Sequence, residues 1–476
     1  MIIDAEQFYS WPLKSVFHYC MMFVAGLFSL SAADTLWTQA ISFPGYNACG
    51  EQCKETGDGG ILMTGFALST DTANPGQKGF LLKTSGAGEL LWKVLYDDTV
   101  LMWGTSIVKA GSDGYFISGI SGLTGDQAFN SCDGVIIETD PQGAVKRRIV
   151  FDKGGWDAAD FGISTTDSGM AIVGLTQTGD PISVNGWIFK TDQTGLVTWS
   201  KVIGDTNMDV CFDICQTSDR GYIATGFTQS EDSLSQFDLW MIRLDSLGEI
   251  KWTRTYEAFS DSSSEFGYAV AQTADGGFVA AGFYGDKESD VFVIRMDSMG
   301  VATWKKTYGR ELNDEATSLM TMPDGGYLVA GKITSPVDST SDIWILRLDS
   351  RGDTLWTRTY GGAWNDNAGR MTPASNGCCF IAGSTRLSAE GEQCAWLLKY
   401  SPSEAEVKRV PAKKKSPPAA RTVRKVCFDK TFSKSRFATR ASATRAAALF
   451  DVRGRSLSGN AKNNAPGLYI MRTAGR

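Results

Sequence analysis

One sentence of sequence is written seven times in this chain, and the last copy lacks a piece that stands near the front. The clearest copy reads DGGYLVAG over Asp324–Gly331, then a variable loop, then DIWILRLDSRGDTLWTRTYGG over Asp342–Gly362. The seventh copy holds SNGCCFIAG and CAWLLKY and stops at Tyr400 without its TLWTRTY stretch. That stretch appears as DTLWTQAI, Asp34–Ile41. An open array of repeats gains nothing from such an offset, whereas a ring closes with it. The pattern predicts an all-β, seven-bladed β-propeller over residues 34–400, closed by its N-terminal strand.

The turn glycines set the blade size. Aligning the copies on Gly60, Gly114, Gly169, Gly221, Gly277, Gly326 and Gly377 gives spacings of 54, 55, 52, 56, 49 and 51 residues. A period near 50 holds four short strands with turns between them. The turn from the first strand, A, to the second, B, reads DGG, DRG or NG. The turn from C to D reads D-x-x-G, as in Asp245–Gly248 and Asp349–Gly352. Glycine supplies the positive φ that such tight turns require.

Two aromatic positions recur. Four residues after the C–D glycine stand Trp92, Trp199, Trp252, Trp304 and Trp356, with Trp37 supplying the seventh copy and Arg147 replacing it in the second. Phe80, Trp187, Trp240, Phe292, Trp344 and Trp396 occupy strand C, where the second copy has Val135. Both sets are expected to wedge blades together rather than to meet a ligand. Blade 2, lacking both aromatics, is expected to be the least well packed.

Composition excludes chemistry. The single histidine is His18, inside a segment read below as removed, so the mature chain has no Ser-His-Asp or Cys-His nucleophile and no histidine metal site. Ten cysteines are present with no CxxC pair, and they are expected to pack as small apolar groups. A bridge, if one forms, would join Cys394 to Cys378 or Cys379. From Ser401 onward 18 Lys+Arg face 4 Asp+Glu, while the whole chain is −7, so the propeller itself is strongly acidic. An acidic body is a poor match for nucleic acid.

Both ends read as addresses. Lys14 precedes the apolar run Val16–Leu30, and Ser31-Ala32-Ala33 precedes Asp34, which fits a signal peptide over 1–33. Its alternative is an N-terminal membrane anchor; after processing no stable transmembrane segment is expected. Residues 401–446 are basic and rich in Pro, Ala and Ser, and read as a flexible linker. Residues 447–476 turn β-like, with ALFDVRGRSL at Ala448–Leu457 and APGLYIMR at Ala465–Arg472. Leu449, Phe450, Asp451, Gly454 and Arg455, then Pro466, Gly467, Leu468, Tyr469, Ile470 and Arg472, resemble the closing strands of C-terminal sorting domains of type IX secretion cargo. The resemblance implies export to the outer cell surface or beyond, with the secretion machinery as a partner. The repeats themselves resemble bacterial seven-bladed β-propeller units of the SBBP type. Those units carry no defined catalytic residues, so the resemblance implies a fold and no chemistry.

One pattern is left once the structural positions are removed. Twelve residues before each A–B glycine stand Asp157, Asp209, Glu265, Asp314 and Asn365, with Asp366 beside the last; Ala48 and Met102 break the ring. Trp103, Trp156 and Trp364 stand at the same D–A connectors. Aromatic planes beside carboxylates suit sugar rings. The plainer reading is that the acids cap the inner strands through local backbone bonds. Such a ring would also attract cations, and calcium is the one cofactor the pattern admits. The expectation is therefore a secreted or surface-attached, non-enzymatic propeller that binds an extracellular glycan or protein through Trp103, Trp156, Asp157, Asp209, Glu265, Asp314, Trp364 and Asp366. The alternatives are an architectural assembly protein and a carboxylate-dependent polysaccharide-active enzyme.

Overall fold

The computed structural model describes residues 35–401, apart from 111–113, 123–131, 179–182, 206, 230–235, 257–262, 286–287 and 310–311. The chain divides after Ala405. The expected signal peptide, basic linker and C-terminal sorting-like segment lie outside the described residues. Within them the chain is all strand: 28 strands in seven four-stranded antiparallel sheets, with no helix.

Six sheets are continuous in sequence, and the seventh closes the ring as expected. Thr35–Ile41 pairs antiparallel with Gln393–Tyr400, with Trp37 opposite Lys399 and Ile41 opposite Ala395. We number the blades from Tyr46–Leu95 (blade 1) to the closing sheet (blade 7).

Burial explains why the strands look different in sequence. Strand C of blade 4, FDLWMIRL, has both faces covered and reads as an almost unbroken apolar run. Strand D, IKWTRTY, lies at the outer edge and is exposed except for half-buried Trp252 and Tyr256. The core is correspondingly not central but divided among the blade junctions. Leu62 and Leu81 of blade 1 pack with Ile107, Ile117 and Val135 of blade 2, and Phe380, Ala382 and Leu397 of blade 7 pack with Met63 and Phe80 of blade 1.

The outer tryptophans dock on the next blade's C–D turn. A Cβ added to Gly143, Gly248 or Gly352 would press on Trp92, Trp199 or Trp304 at 2.6–2.9 Å, and each of these glycines has φ between +79° and +85°. Closure repeats the motif, with Trp37 against Gly88 at 2.8 Å. Tyrosine hydroxyls reinforce it: Tyr96 donates to the Gly143 carbonyl at 2.8 Å and Tyr308 to that of Gly352 at 2.6 Å. Blade 2 solves the same problem by charge. Arg147 pairs with Glu138 at 2.9 Å and donates to the Thr194 carbonyl in the next C–D turn. Glu138 occupies the register position held by Lys83, Lys190, Arg243, Arg295 and Arg347 elsewhere. Loss of the tryptophan thus comes with an exchange of charge rather than a bare gap.

Those five basic side chains are nearly buried, and each reaches the aspartate of its own A–B turn: Lys83–Asp58, Lys190–Asp167, Arg243–Asp219, Arg295–Asp275 and Arg347–Asp324, at 2.5–2.9 Å. The Thr217 hydroxyl and, against partial burial, Arg243 hold the Asp219 carboxyl well below its ordinary range. The repeated aspartate is therefore more than a turn former. The cysteine expectation holds in its main part: none of the eight described cysteines is in a disulfide. The bridge from Cys394 to Cys379 is ruled out by register, because Cys394 faces Thr385 while Cys379 faces Tyr400 at the far end of the pairing.

Candidate functional site

The ring of acids sits where strand A of one blade meets strand C of the blade before it. Asp157, Asp209, Glu265, Asp314 and Asp366 are each 0–1% exposed. The ring member of blade 7 is Asp366 and not Asn365. In the A–B turns the left-handed position is held by Gly59, Ser168, Arg220, Gly276 and Gly325, and Gly377 takes it in blade 7 at φ +79°. The true counterpart of Gly326 is then Cys378, which moves the ring position by one residue.

Three of the acids fasten their connectors, and a fourth fastens the end of strand B. Asp157 Oδ2 accepts the Lys153 N–H at 2.6 Å, Asp209 Oδ2 that of Asp205 at 3.0 Å, and Asp366 Oδ2 that of Gly362 at 2.8 Å. Asp314 Oδ1 accepts the Thr334 N–H at 2.8 Å. Their own N–H groups reach back to the preceding blade: Asp157 to the Cys132 carbonyl, Asp314 to Ser289 and Asp366 to Ser341, at 2.6–2.8 Å. Local capping and a stitch between blades are combined in one residue.

Sequence reading did not join these acids to their partners. The residue at or near the start of strand C of the preceding blade is Asp133, Asn185, Asp238, Asp290 or Asp342. Four of the five stand 24 residues before their ring acid, which was the available signal. Where the ring is broken by Met102 and Ala48, the strand C positions hold Lys78 and Cys394 instead. Where a glycine stands five residues before the ring acid, it lies over both groups. A Cβ on Gly361 would overlap Asp342 Oδ1 and meet Asp366 Oδ2 at 2.6 Å; one on Gly309 would overlap Asp290 Oδ1 and meet Asp314 Oδ2 at 3.0 Å.

Such packing makes ionisation costly. Burial, with Asp342 adding repulsion, pushes the Asp366 carboxyl up to about 6. Burial also raises Asp157, Asp209 and Asp342. Two carboxyls facing one another out of water favour retention of a proton by one of them.

The central axis is crossed by a residue that sequence reading did not single out. Arg370, on strand A of blade 7, donates to the carbonyls of Phe212 (2.6 Å) and Tyr268 (3.1 Å) in blades 4 and 5 and pairs with Asp213 at 3.0 Å. Its guanidinium lies 4.0 Å from the ring centroid of Phe161 in blade 3. Blade 7 adjoins none of these blades, so the side chain crosses the axis. Phe212 and Tyr268 stack beside it with centroids 4.6 Å apart.

The three connector tryptophans separate. Trp103 is 4% exposed and packs on Phe66. Trp156 is half-buried, with its backbone held on both sides by Gln177. Trp364 is 37% exposed. Trp156 and Trp364 belong to the connectors entering blades 3 and 7, so they do not form one platform.

No protein-family model matches the chain. The resemblances to seven-bladed repeat units and to sorting domains rest on the quoted motifs alone. The regulatory protein FlaEY of Caulobacter vibrioides is 30% identical over 117 residues, which is 22% of this chain and 12% of that protein, so the chain spans a small part of its length. Among solved structures, a protein of unknown function from Dyadobacter fermentans aligns over 77% of this chain and 98% of its own at 10% identity, with a TM-score of 0.46. The polysaccharide lyase Uly1 aligns over 74% and 90% at 9% identity, with a TM-score of 0.48. The WD40 domain of Neurospora crassa Pan2 aligns over 78% and 97% at 11% identity, with a TM-score of 0.45. At these scores none adds to the fold, which stands on the seven sheets themselves.

Proposed function

We propose that this chain is an extracellular, non-enzymatic binding propeller that engages a glycan on the face formed by its D–A connectors and B–C loops. The observation that carries the reading is Trp364, an indole 37% open to solvent on a connector that is held from both sides. Two residues on, buried Asp366 accepts the Gly362 N–H, while Asn365 accepts the Ser341 N–H at 3.0 Å. A flat apolar ring on a connector whose backbone is already fixed loses less freedom when it stacks on a sugar. Export rests on the N-terminal and C-terminal sequence segments; no helix among the described residues is long and apolar enough to cross a membrane. The carboxylate-dependent enzyme reading draws less support, because the ring acids are 0–1% exposed.

The architectural reading is favoured by a different observation. The outer strands and C–D turns leave Leu91, Leu247, Met299 and Val301 more than half exposed, which suits a protein partner. The test is the full chain on a broad polysaccharide and glycan array beside Trp364→Ala. Binding lost in the variant supports the glycan reading. Glycan binding that is unchanged in Trp364→Ala removes Trp364 from the site, and silence from a folded wild-type sample moves the assignment to protein contacts.

A further inference from the structure

Asparagine followed directly by glycine occurs twice in this chain, at Asn185-Gly186 and at Asn376-Gly377. The fold treats the two differently. Asn185 is 5% exposed and its Nδ2 donates to the Ser183 hydroxyl at 3.0 Å, while Gly186 lies inside strand C of blade 3, paired with Leu175 on one side and Ile203 on the other. Asn376 and Gly377 are both exposed in the A–B turn of blade 7, and a Cβ on Gly377 would meet nothing within 4 Å. We propose that Asn376-Gly377 is a site of spontaneous deamidation, and that the aspartate formed completes in the closing blade the turn-to-strand ion pair that five other blades already carry.

The turn itself brings the reacting groups together. Asn376 Oδ1 accepts the Cys378 N–H at 3.2 Å, and the ring closed by that bond contains both the side-chain carbonyl carbon of Asn376 and the Gly377 nitrogen. The attacking nitrogen is loosely held. The Gly377 N–H reaches the Ala374 carbonyl at 3.3 Å, where its counterparts at Gly59, Ser168, Arg220, Gly276 and Gly325 stand at 2.8–2.9 Å. Once base in the solvent removes its proton, that nitrogen attacks the side-chain carbonyl: a C–N bond forms, the bond to the amide nitrogen breaks, and ammonia leaves. Water then opens the cyclic imide. Cleavage of the new C–N bond returns the ordinary backbone with aspartate at 376; cleavage of the old one gives isoaspartate, with an extra methylene in the chain. Aspartate is the residue that the repeat carries here. Its counterparts Asp58, Asp167, Asp219, Asp275 and Asp324 pair with the basic residue opposite the docking tryptophan, and in blade 7 that residue is Lys399, opposite Trp37. Among the described residues Lys399 pairs with no carboxylate, and its ammonium lies 5.2 Å from the Phe380 ring centroid. Asp58, Asp275 and Asp324 also precede glycine, but an ion-paired carboxylate is a poor electrophile. The site stands in an A–B turn and is independent of the glycan reading, which rests on the connectors.

Full-length protein is incubated at mildly alkaline pH and sampled over time, with peptide mapping by mass spectrometry to follow the replacement of NH by O at each asparagine. In folded protein Asn376 is expected to convert at least about tenfold faster than Asn185, which reacts only when blade 3 opens; in denaturant the two rates should converge. The rate at Asn376 should rise with pH, since the attacking N–H must lose its proton. Asn376→Asp, made directly, should melt above freshly purified wild type in low salt, and Lys399→Gln should remove that difference. Should Lys399→Gln fail to fold, loss of the Asn376→Asp gain in high salt gives the same reading. An Asn376 that stays intact in folded protein, or converts no faster than Asn185, would overturn the modification site. An Asn376→Asp variant with no gain, or with a gain that persists in Lys399→Gln or in high salt, would overturn the ion pair.

Discussion

Replacing Asp366 by Asn should stabilise this protein at pH 8 and leave it unchanged at pH 4. The Asp366 carboxyl is pushed from an ordinary 3.8 up to about 6, by burial first and by Asp342 in part. Below about pH 4 both the folded and the unfolded chain hold this proton, and the raised pKa costs nothing. Between about 4 and 6 the folded chain keeps the proton that the unfolded chain has released. Stability therefore falls as pH rises through that window and stays reduced above it. A shift of about two units is worth roughly 3 kcal/mol. Asparagine keeps an oxygen for the Gly362 N–H and carries no charge to desolvate. With an unfolding entropy of roughly 2 cal/mol/K per residue, that energy raises Tm by roughly 4 °C in a ring of this size. Thermal and urea unfolding at pH 4, 6 and 8 measure it. A variant that gains nothing at pH 8, or differs from wild type by the same amount at pH 4 and pH 8, would refute the paired-carboxyl reasoning.

Two other substitutions probe the axis and the odd blade. Arg370→Ala should cost about 3–5 kcal/mol by chemical denaturation, because it strands Asp213 as an unpaired buried charge; adding Asp213→Ala should recover most of that loss, and an additive double variant would contradict the plug. In blade 2, Glu138→Lys alone sets two cations together and should destabilise by about 1 kcal/mol. Combined with Arg147→Trp it recreates the arrangement of blades 1, 3, 4, 5 and 6, and the pair should be at least as stable as wild type by the same assay. A double variant worse than either single one would show that the charge exchange is not what replaces the tryptophan.

The ring, its closure and its docking tryptophans were legible because each is written as a residue type at a fixed offset within a repeat. Trp37 could be assigned to blade 7 before any coordinates, since a strand of that spelling had one vacant place. The acids were legible as a pattern, but their meaning was not. Their position twelve residues before a turn says nothing about burial, and the partner that buries each one comes from the preceding blade. Asp342 and Asp366 meet only when two blades pack, so a reading within one repeat could not join them. Arg370 was hidden for a similar reason: its hydrogen-bond partners lie 102 and 158 residues away across the axis. Blade 7 also shows how a one-residue error arises. Asn376-Gly377 spells a turn as well as Asp-Gly-Gly does, and only the left-handed φ at Gly377 fixes which glycine position it fills.

Hydrogen exchange of the amides of Leu36–Ile41 in the full-length protein tests the closed ring most directly. Paired to strand C of blade 7, alternate amides of this segment should be protected to the same degree as those of Ile343–Leu348, exchanging only on global unfolding. Exchange within seconds along the whole segment, with the other blades still protected, would mean that the seventh blade lacks its fourth strand and that the ring is not closed as described.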